Sequence, residues 1–194
     1  MSKVLIIDHY DSFVYNIAHY VEALGYTTEV IRCDAASAEA LMALKPSHII
    51  FSPGPCGPLQ TGVSMPLMSA ALGNIPILGI CLGAQALAVM LGGTVIQAIR
   101  PRHGQGIQIE HDGSFLFEGL SSPMHVGLYH SLMIDSKSLP STVAVTACCP
   151  EGQVMAIAHR TQPAWGVQFH PESVLTPQGH RVLSQFLNDS KVSV

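Results

Sequence analysis

The chain has 194 residues and a formal net charge of -4, from nine Lys and Arg against thirteen Asp and Glu; 48% of the residues are apolar and 11% charged. That balance excludes a disordered chain, and scattered basic residues under a net negative charge exclude a generic nucleic-acid binder. The length suits one core, so residues 1–194 are expected to form a single domain.

In chain order, KVLIID reads as a strand. FVYNIAHYVEALG follows as a helix in which Phe13, Ile17, Tyr20, Val21 and Leu24 recur at helical spacing, with Asp11 or Ser12 as N-cap and Gly25 at the C′ position. TTEVIR is a second strand, AEALMAL a helix stopped by Pro46, and HIIFS a third strand entering the loop SPGPCGPLQTG. A helix near VSMPLMSAALG precedes the strand IPILGI, a turn at Cys81, the helix LGAQALAVMLGG and the strand TVIQ. Strands alternating with helices need crossover connections. The fold is therefore expected to be α/β, an open and mostly parallel sheet with helices on both faces and its functional loops at the carboxyl ends of the strands.

Beyond His103 the segments GIQIEHDGSFLF, HVGLYH, VAVTACC, VMAIAHR and AWGVQFH read as antiparallel strands, and TPQGHRVLSQFLND as a closing helix. Too few apolar residues precede Asp8 for a secretory leader, and the five cysteines (Cys33, Cys56, Cys81, Cys148, Cys149) are odd in number and irregular in spacing, unlike a disulfide framework. A cytoplasmic location is expected. Neither C-x2-C nor H-E-x-x-H occurs, so no metal site is expected.

The stretch from Pro46 to Ile99 contains no Asp, Glu, Lys or Arg. Its second part, Ile75 to Ile99, is long enough to span a bilayer, and GICLG matches G-x-x-x-G. Pro76, the paired Gly92 and Gly93, Gln85 and Gln97 cut it into strand-sized and helix-sized pieces, and no basic flank orients a span. No membrane partner is expected.

Taken alone, Cys81 reads as a buried core thiol. Its surroundings change that reading. G-x-C-x-G directly after an apolar strand and before a helix is the cysteine form of a nucleophile elbow, and the helix start places partial positive charge beside the sulfur. A thiolate nucleophile needs a base, and the base needs an orienting partner. WGVQFHPES offers both: His170 ends an apolar strand, and Glu172, two residues on, leaves the same side of an extended chain. By itself FHPE would be a surface turn; with the elbow it points to acyl chemistry on a thiol.

Five segments in order, DHYDSFVYNI, SPGPC, GICLGAQ, YHSL and GVQFHPES, resemble the triad-type, or class I, glutamine amidotransferases over nearly the whole chain. Within that family the likeness is to the small subunits of anthranilate synthase and 4-amino-4-deoxychorismate synthase. The resemblance implies L-glutamine as substrate, Cys81 as the nucleophile that forms a γ-glutamyl thioester, His170 as the base and Glu172 as its orienting partner. It places oxyanion donors at the backbone of Leu82 and near Gly54, in the loop with Pro55 and Cys56, and substrate contacts at Gln85, Ser131 and Leu132, the last two through backbone. It further implies that ammonia passes to a chorismate-binding large synthase subunit, which holds magnesium, so that no cofactor is expected in this chain. Cysteine at the fifth place of SPGPC leans toward the folate-pathway sister. The competing readings are a γ-glutamyl hydrolase on the same elbow scaffold and a regulatory subunit with weak catalysis.

Three departures stand out. Ala84 replaces the histidine of the family's CLGHQ, with altered interface or pocket packing as the expectation. Gln105 and Ile107 stand where HGK and a following serine are common, which predicts weaker glutamine affinity or a differently shaped docking face. The helix over 61–72 lacks charge, its polar face being Thr61, Ser64 and Ser69, and is expected to meet the partner subunit. Cys56 and Cys81 are also expected to face one pocket, where oxidation would join them.

Overall fold

The computed structural model describes residues 2–188. Along the first half β1 (Lys3–Asp8), α1 (Val14–Ala23), β2 (Thr27–Arg32), α2 (Ala38–Ala43), β3 (His48–Phe51), α3 (Ser64–Ala71), β4 (Ile77–Ile80) and α4 (Leu82–Met90) alternate. Then come β5 (Val95–His111), β6 (Met124–Ile134), β7 (Val143–Cys148), β8 (Val154–His159), β9 (Ala164–Val167) and α5 (Gly179–Leu187). The nine strands lie in the order β2-β1-β3-β4-β9-β8-β7-β5-β6. From β2 to β9 every pairing is parallel, and from β9 to β6 every pairing is antiparallel.

Alternation along the parallel strands sorts side chains to two faces. Val4, Ile6, Ile50, Leu78 and Ile80 pack with Val14, Ile17, Ala18 and Val21 of α1 and with Val182, Leu183, Phe186 and Leu187 of α5. Leu5, Ile7, Ile49, Phe51 and Ile77 pack on the other face with Leu41 of α2, Leu67, Met68 and Ala71 of α3, and Ala86 and Leu87 of α4. Each large side chain so buried contributes roughly 1.5–3 kcal/mol. The charge-free stretch is explained by this packing: β3 and β4 are buried along their whole lengths, and Leu82 to Ala88 of α4 are buried as well. Among the described residues no helix is long and apolar enough to cross a membrane.

Several local expectations change. Helix α1 starts one residue later than expected, with Phe13 at the N-cap position and no side-chain cap, so neither Asp11 nor Ser12 caps it. Phe13, Tyr20 and Leu24 are exposed because the buried stripe runs through Val14, Ile17, Ala18 and Val21 instead. Gly25 does take positive φ just after the C-cap. TVIQ joins the antiparallel half as the start of β5, a long bulged strand paired with β6 and β7, while SFLF becomes a 3-10 turn over Phe115–Phe117. The closing helix begins at Gly179; Asp189, its expected last residue, lies outside the described residues. Helix α3 starts only at Ser64, and both Ser64 and Thr61 ahead of it are buried rather than solvated, which leaves Ser69 as the exposed member of the expected polar face.

The topology that matters for function is the insertion of β9, last of the strands in the chain, between β4 and β8. Parallel β4 and β9 end side by side, with Ile80 opposite Val167, and the Cys81 amide donates to the Val167 carbonyl at 2.8 Å. The ends of β1 and β3 open on the same edge.

Candidate active site

Cys81 stands between β4 and α4 with φ 51° and ψ -103°, a conformation that a side-chain-bearing residue adopts only when its neighbours enforce it. The two elbow glycines lie on either side of it where backbones approach closely. A Cβ on Gly79 would sit 2.5 Å from the Gly83 carbonyl carbon, and one on Gly83 would run into the Phe51 carbonyl oxygen. Close packing of β3, β4 and α4 thus needs glycine at both places. Cys81 occupies the N-cap place of α4, where the first helical amides, beginning with Leu82, have no partner within the helix and point toward the sulfur's surroundings.

His170 is buried just beyond β9, and its Nδ1 lies 2.6 Å from Glu172 Oε1, itself buried. The loop is held by Thr176, whose hydroxyl donates to the His170 carbonyl at 2.7 Å and accepts from the Gly127 amide at 2.9 Å. Tyr129 packs edge-on against the imidazole with ring centroids 4.8 Å apart. Burial by itself would lower the His170 pKa, but interaction with the Cys81 sulfur and with Glu172 outweighs it and pushes the value up to about 10. The imidazole therefore holds its proton at neutral pH while flanked by sulfur and carboxylate.

All of the residues expected to act in catalysis or glutamine binding except Glu172 line one cavity of about 360 Å³, within the range of small-molecule sites. Gly54, Pro55 and Cys56 line it from the loop after β3, Cys81, Leu82 and Gln85 from the elbow and α4, Ser131 and Leu132 from β6, and His170 from the segment after β9. Glu172 lies behind His170. Gln85 Nε2 donates to the Leu132 carbonyl at 3.1 Å and to Gln168 Oε1 at 3.1 Å, and Gln168 Nε2 donates to Cys81 Sγ at 3.5 Å. This chain of bonds ties Cys81 to Leu132 of β6.

Sequence reasoning misses Gln168 as a site residue, although its place two residues before His170 in GVQFHPES puts it on the same side of the strand. Asp11, Tyr129 and His130 also line the cavity, and all three fall in quoted segments whose side-chain directions only the fold reveals. His130 Nδ1 lies 2.9 Å from the Leu132 carbonyl, and burial lowers its pKa.

The wall carrying Gly54 is braced from below. His9 is buried, with Nδ1 2.8 Å from the Ser52 carbonyl and Nε2 2.7 Å from Ser64 Oγ. A carbonyl accepts only, so Nδ1 carries the proton and Nε2 accepts from the Ser64 hydroxyl. Burial lowers the His9 pKa, which favours this neutral ring. Ser64 is therefore a structural partner of His9, and no part of a solvated helix face.

The departures resolve differently. Ala84 is fully buried and packs on Gly166 of β9, where a Cβ would meet the Ala84 Cβ at 2.9 Å; it lies neither at the surface nor in the cavity wall. Gln105 follows a bulge in β5 opposite Leu128, and Ile107 packs on the core beside Val126. Neither lines the cavity. Among the described residues no group of three or more His, Cys, Asp or Glu is placed to hold a metal ion.

An elbow cysteine, an adjoining His–Glu pair and a cavity at the carboxyl edge of a parallel sheet define a thiol-dependent acyl-transfer class, and residues 5–190 match the model of the class-I glutamine amidotransferases. The chain belongs to that family. It is 43% identical to anthranilate synthase component 2 of Azospirillum brasilense, over 97% of this chain and 96% of that protein. It is also 43% identical to aminodeoxychorismate/anthranilate synthase component 2 of Bacillus subtilis, over 98% of each. Among solved structures, one from Thermoplasma acidophilum described as a GMP synthase component superposes with a TM-score of 0.87 at 26% identity, over 96% of this chain and 92% of that one.

Proposed function

We propose that this chain is a single-domain, cytoplasmic glutamine amidotransferase subunit that supplies ammonia to a chorismate-utilising synthase subunit. The observation that carries the proposal is the convergence of the strained Cys81 with the His170–Glu172 pair at 2.6 Å, in a cavity of amino-acid size. The names of the relatives support the choice of partner.

In this reading Cys81 Sγ attacks the side-chain amide carbon of L-glutamine, and the oxygen that gains charge is met by backbone amides of Leu82 and of the Gly54 loop. The His170 imidazolium gives its proton to the amide nitrogen, the C–N bond breaks, and ammonia leaves a γ-glutamyl thioester. Water, deprotonated by His170, then attacks the thioester; glutamate departs and the thiol is restored. Glu172 keeps the imidazole oriented and charged. Gln85, Ser131 and Leu132 hold the amino-acid end of glutamine. The chain needs no metal for these steps, and magnesium belongs to the partner's chemistry.

The test is Cys81→Ala in the complex with the synthase subunit. Glutamine-dependent product formation is expected to vanish while formation from ammonium salt persists. Loss of both would mean that the chain has only a structural role in the complex, and identification of the product names the pathway.

A further inference from the structure

Gln168 directly follows β9, where its backbone amide donates to the Met155 carbonyl of β8 at 2.8 Å, and it is only 1% exposed. A primary amide buried this deeply must satisfy both of its ends or destabilise the fold. Which end faces which partner follows from one group that can only accept. The Leu132 carbonyl takes a hydrogen from the Gln85 side chain at 3.1 Å, so Nε2 of Gln85 lies on that side. The same nitrogen gives its second hydrogen to Gln168 Oε1 at 3.1 Å. With its oxygen so engaged, Gln168 presents Nε2 to Cys81 Sγ, 3.5 Å away. The relay of amides therefore runs in one direction and ends as a donor on the sulfur. A thiolate, which only accepts, suits that donor better than a thiol does.

The imidazole is placed differently. His170 Nδ1 is committed to Glu172 at 2.6 Å. Nε2, although the ring's charge is held by the sulfur as well as by the carboxylate, meets no partner at hydrogen-bond geometry among the described residues. Sulfur and imidazole are thus held by separate groups, and the second ring nitrogen is left for a substrate atom.

We propose that Gln168 is a further catalytic residue: it is the donor that holds and aims the Cys81 thiolate, which leaves the Nε2 proton of His170 for the nitrogen of the departing amide. The proposal rests on the triad reading above. During acylation Sγ bonds to the amide carbon while the Gln168 N–H fixes the direction from which it attacks. During hydrolysis the C–S bond breaks, the sulfur keeps the electron pair, and the same N–H receives the returning thiolate; the proton of the attacking water goes to His170.

The test reads the sulfur apart from substrate binding. Alkylation of Cys81 by iodoacetamide in the full-length protein, followed by mass spectrometry across pH 6–9, reports the reactive thiolate. Gln168→Glu keeps the shape and the acceptor for Gln85 but sets a negative oxygen beside the sulfur, and Gln168→Met keeps the length but offers no donor. Both should slow alkylation at neutral pH by about tenfold or more, Gln168→Glu the further of the two. The kcat for glutamate release should fall with it, while KM for glutamine changes by less than about twofold. A raised KM with alkylation at the wild-type rate would make Gln168 a prop for Gln85 and overturn the proposal, as would wild-type behaviour in both measurements. Nitrogen-15 NMR of wild type labelled in its glutamine side chains does not depend on how the variants fold: the Gln168 amide signal should shift when Cys81 is alkylated, and an unmoved signal also overturns the proposal. A wild-type Cys81 no more reactive than glutathione would sink the triad reading itself, whereas a reactive Cys81 indifferent to both substitutions would sink this inference alone.

Discussion

His170 is pulled two ways: burial disfavours its charge, while the Cys81 sulfur and Glu172 hold it, and the second influence wins. Glu172 is accordingly expected to matter for rate more than for binding. Glu172→Gln keeps the shape and a hydrogen-bonding group but removes the charge, so kcat for glutamine hydrolysis should fall about 10²- to 10³-fold with KM little changed, measured as glutamate release. A KM effect alone would place Glu172 in substrate binding. Cys56, exposed on the cavity wall that Cys81 also lines, tests a different property. Peroxide would take two electrons and two protons from the pair to form a disulfide and two waters. Inactivation by peroxide should therefore be slower, and no longer reversible by dithiothreitol, in Cys56→Ser; equal sensitivity and reversibility would exclude the pairing.

At the scale of elements, the elbow depends on how closely β3, β4 and α4 approach. Gly79→Ala places a methyl group against the backbone of Gly83, and overpacking of this kind costs about 3 kcal/mol. The melting temperature should drop by roughly 6–12 °C, and glutaminase activity should be lost even below the transition. His9 plays the matching part for the Gly54 wall, since it joins the ends of β1 and β3 to the start of α3. His9→Ala leaves the Ser64 hydroxyl and the Ser52 carbonyl short of a partner, a loss of about 1–3 kcal/mol. A Ser64→Ala change should cost less in the His9→Ala background than in wild type, because the two side chains share one bond.

For the whole molecule, the titrations oppose one another across pH. His9 and His130 have lowered values in the folded state, so their contribution is present above the ordinary histidine value of 6.5 and is lost as pH falls below it. His170, raised to about 10, works the other way: its contribution is complete below 6.5 and is lost as pH climbs through 10. Asp11, raised to about 6, gives stability below 3.8 that is lost as pH rises through 6, which partly offsets the acid-side histidines. The melting temperature should be highest near neutral pH and decline on both sides. His9→Asn should flatten the acid limb between pH 7 and 5; an acid limb of unchanged slope would mean that His9 does not titrate there on unfolding.

The alternation of strands and helices, the elbow at Cys81 and the pairing of His170 with Glu172 in one site were all legible in the amino-acid order alone. Each of these is local: apolar periodicity, glycines spaced around a turn, and two side chains leaving one side of a short extended segment. What depends on which strands lie side by side emerged only with the folded chain. The insertion of β9 beside β4 brings Gln168 to the sulfur, and the shared edge of β1 and β3 sets His9 under the Gly54 wall. The same contacts place Ser64 in the core rather than on a solvated face, and make Asp11 part of a cavity wall rather than a helix cap. A cap or a polar face is a preference of the isolated segment, worth about 1 kcal/mol. Burial against strands distant in sequence involves several times that, and it is the term that prevailed.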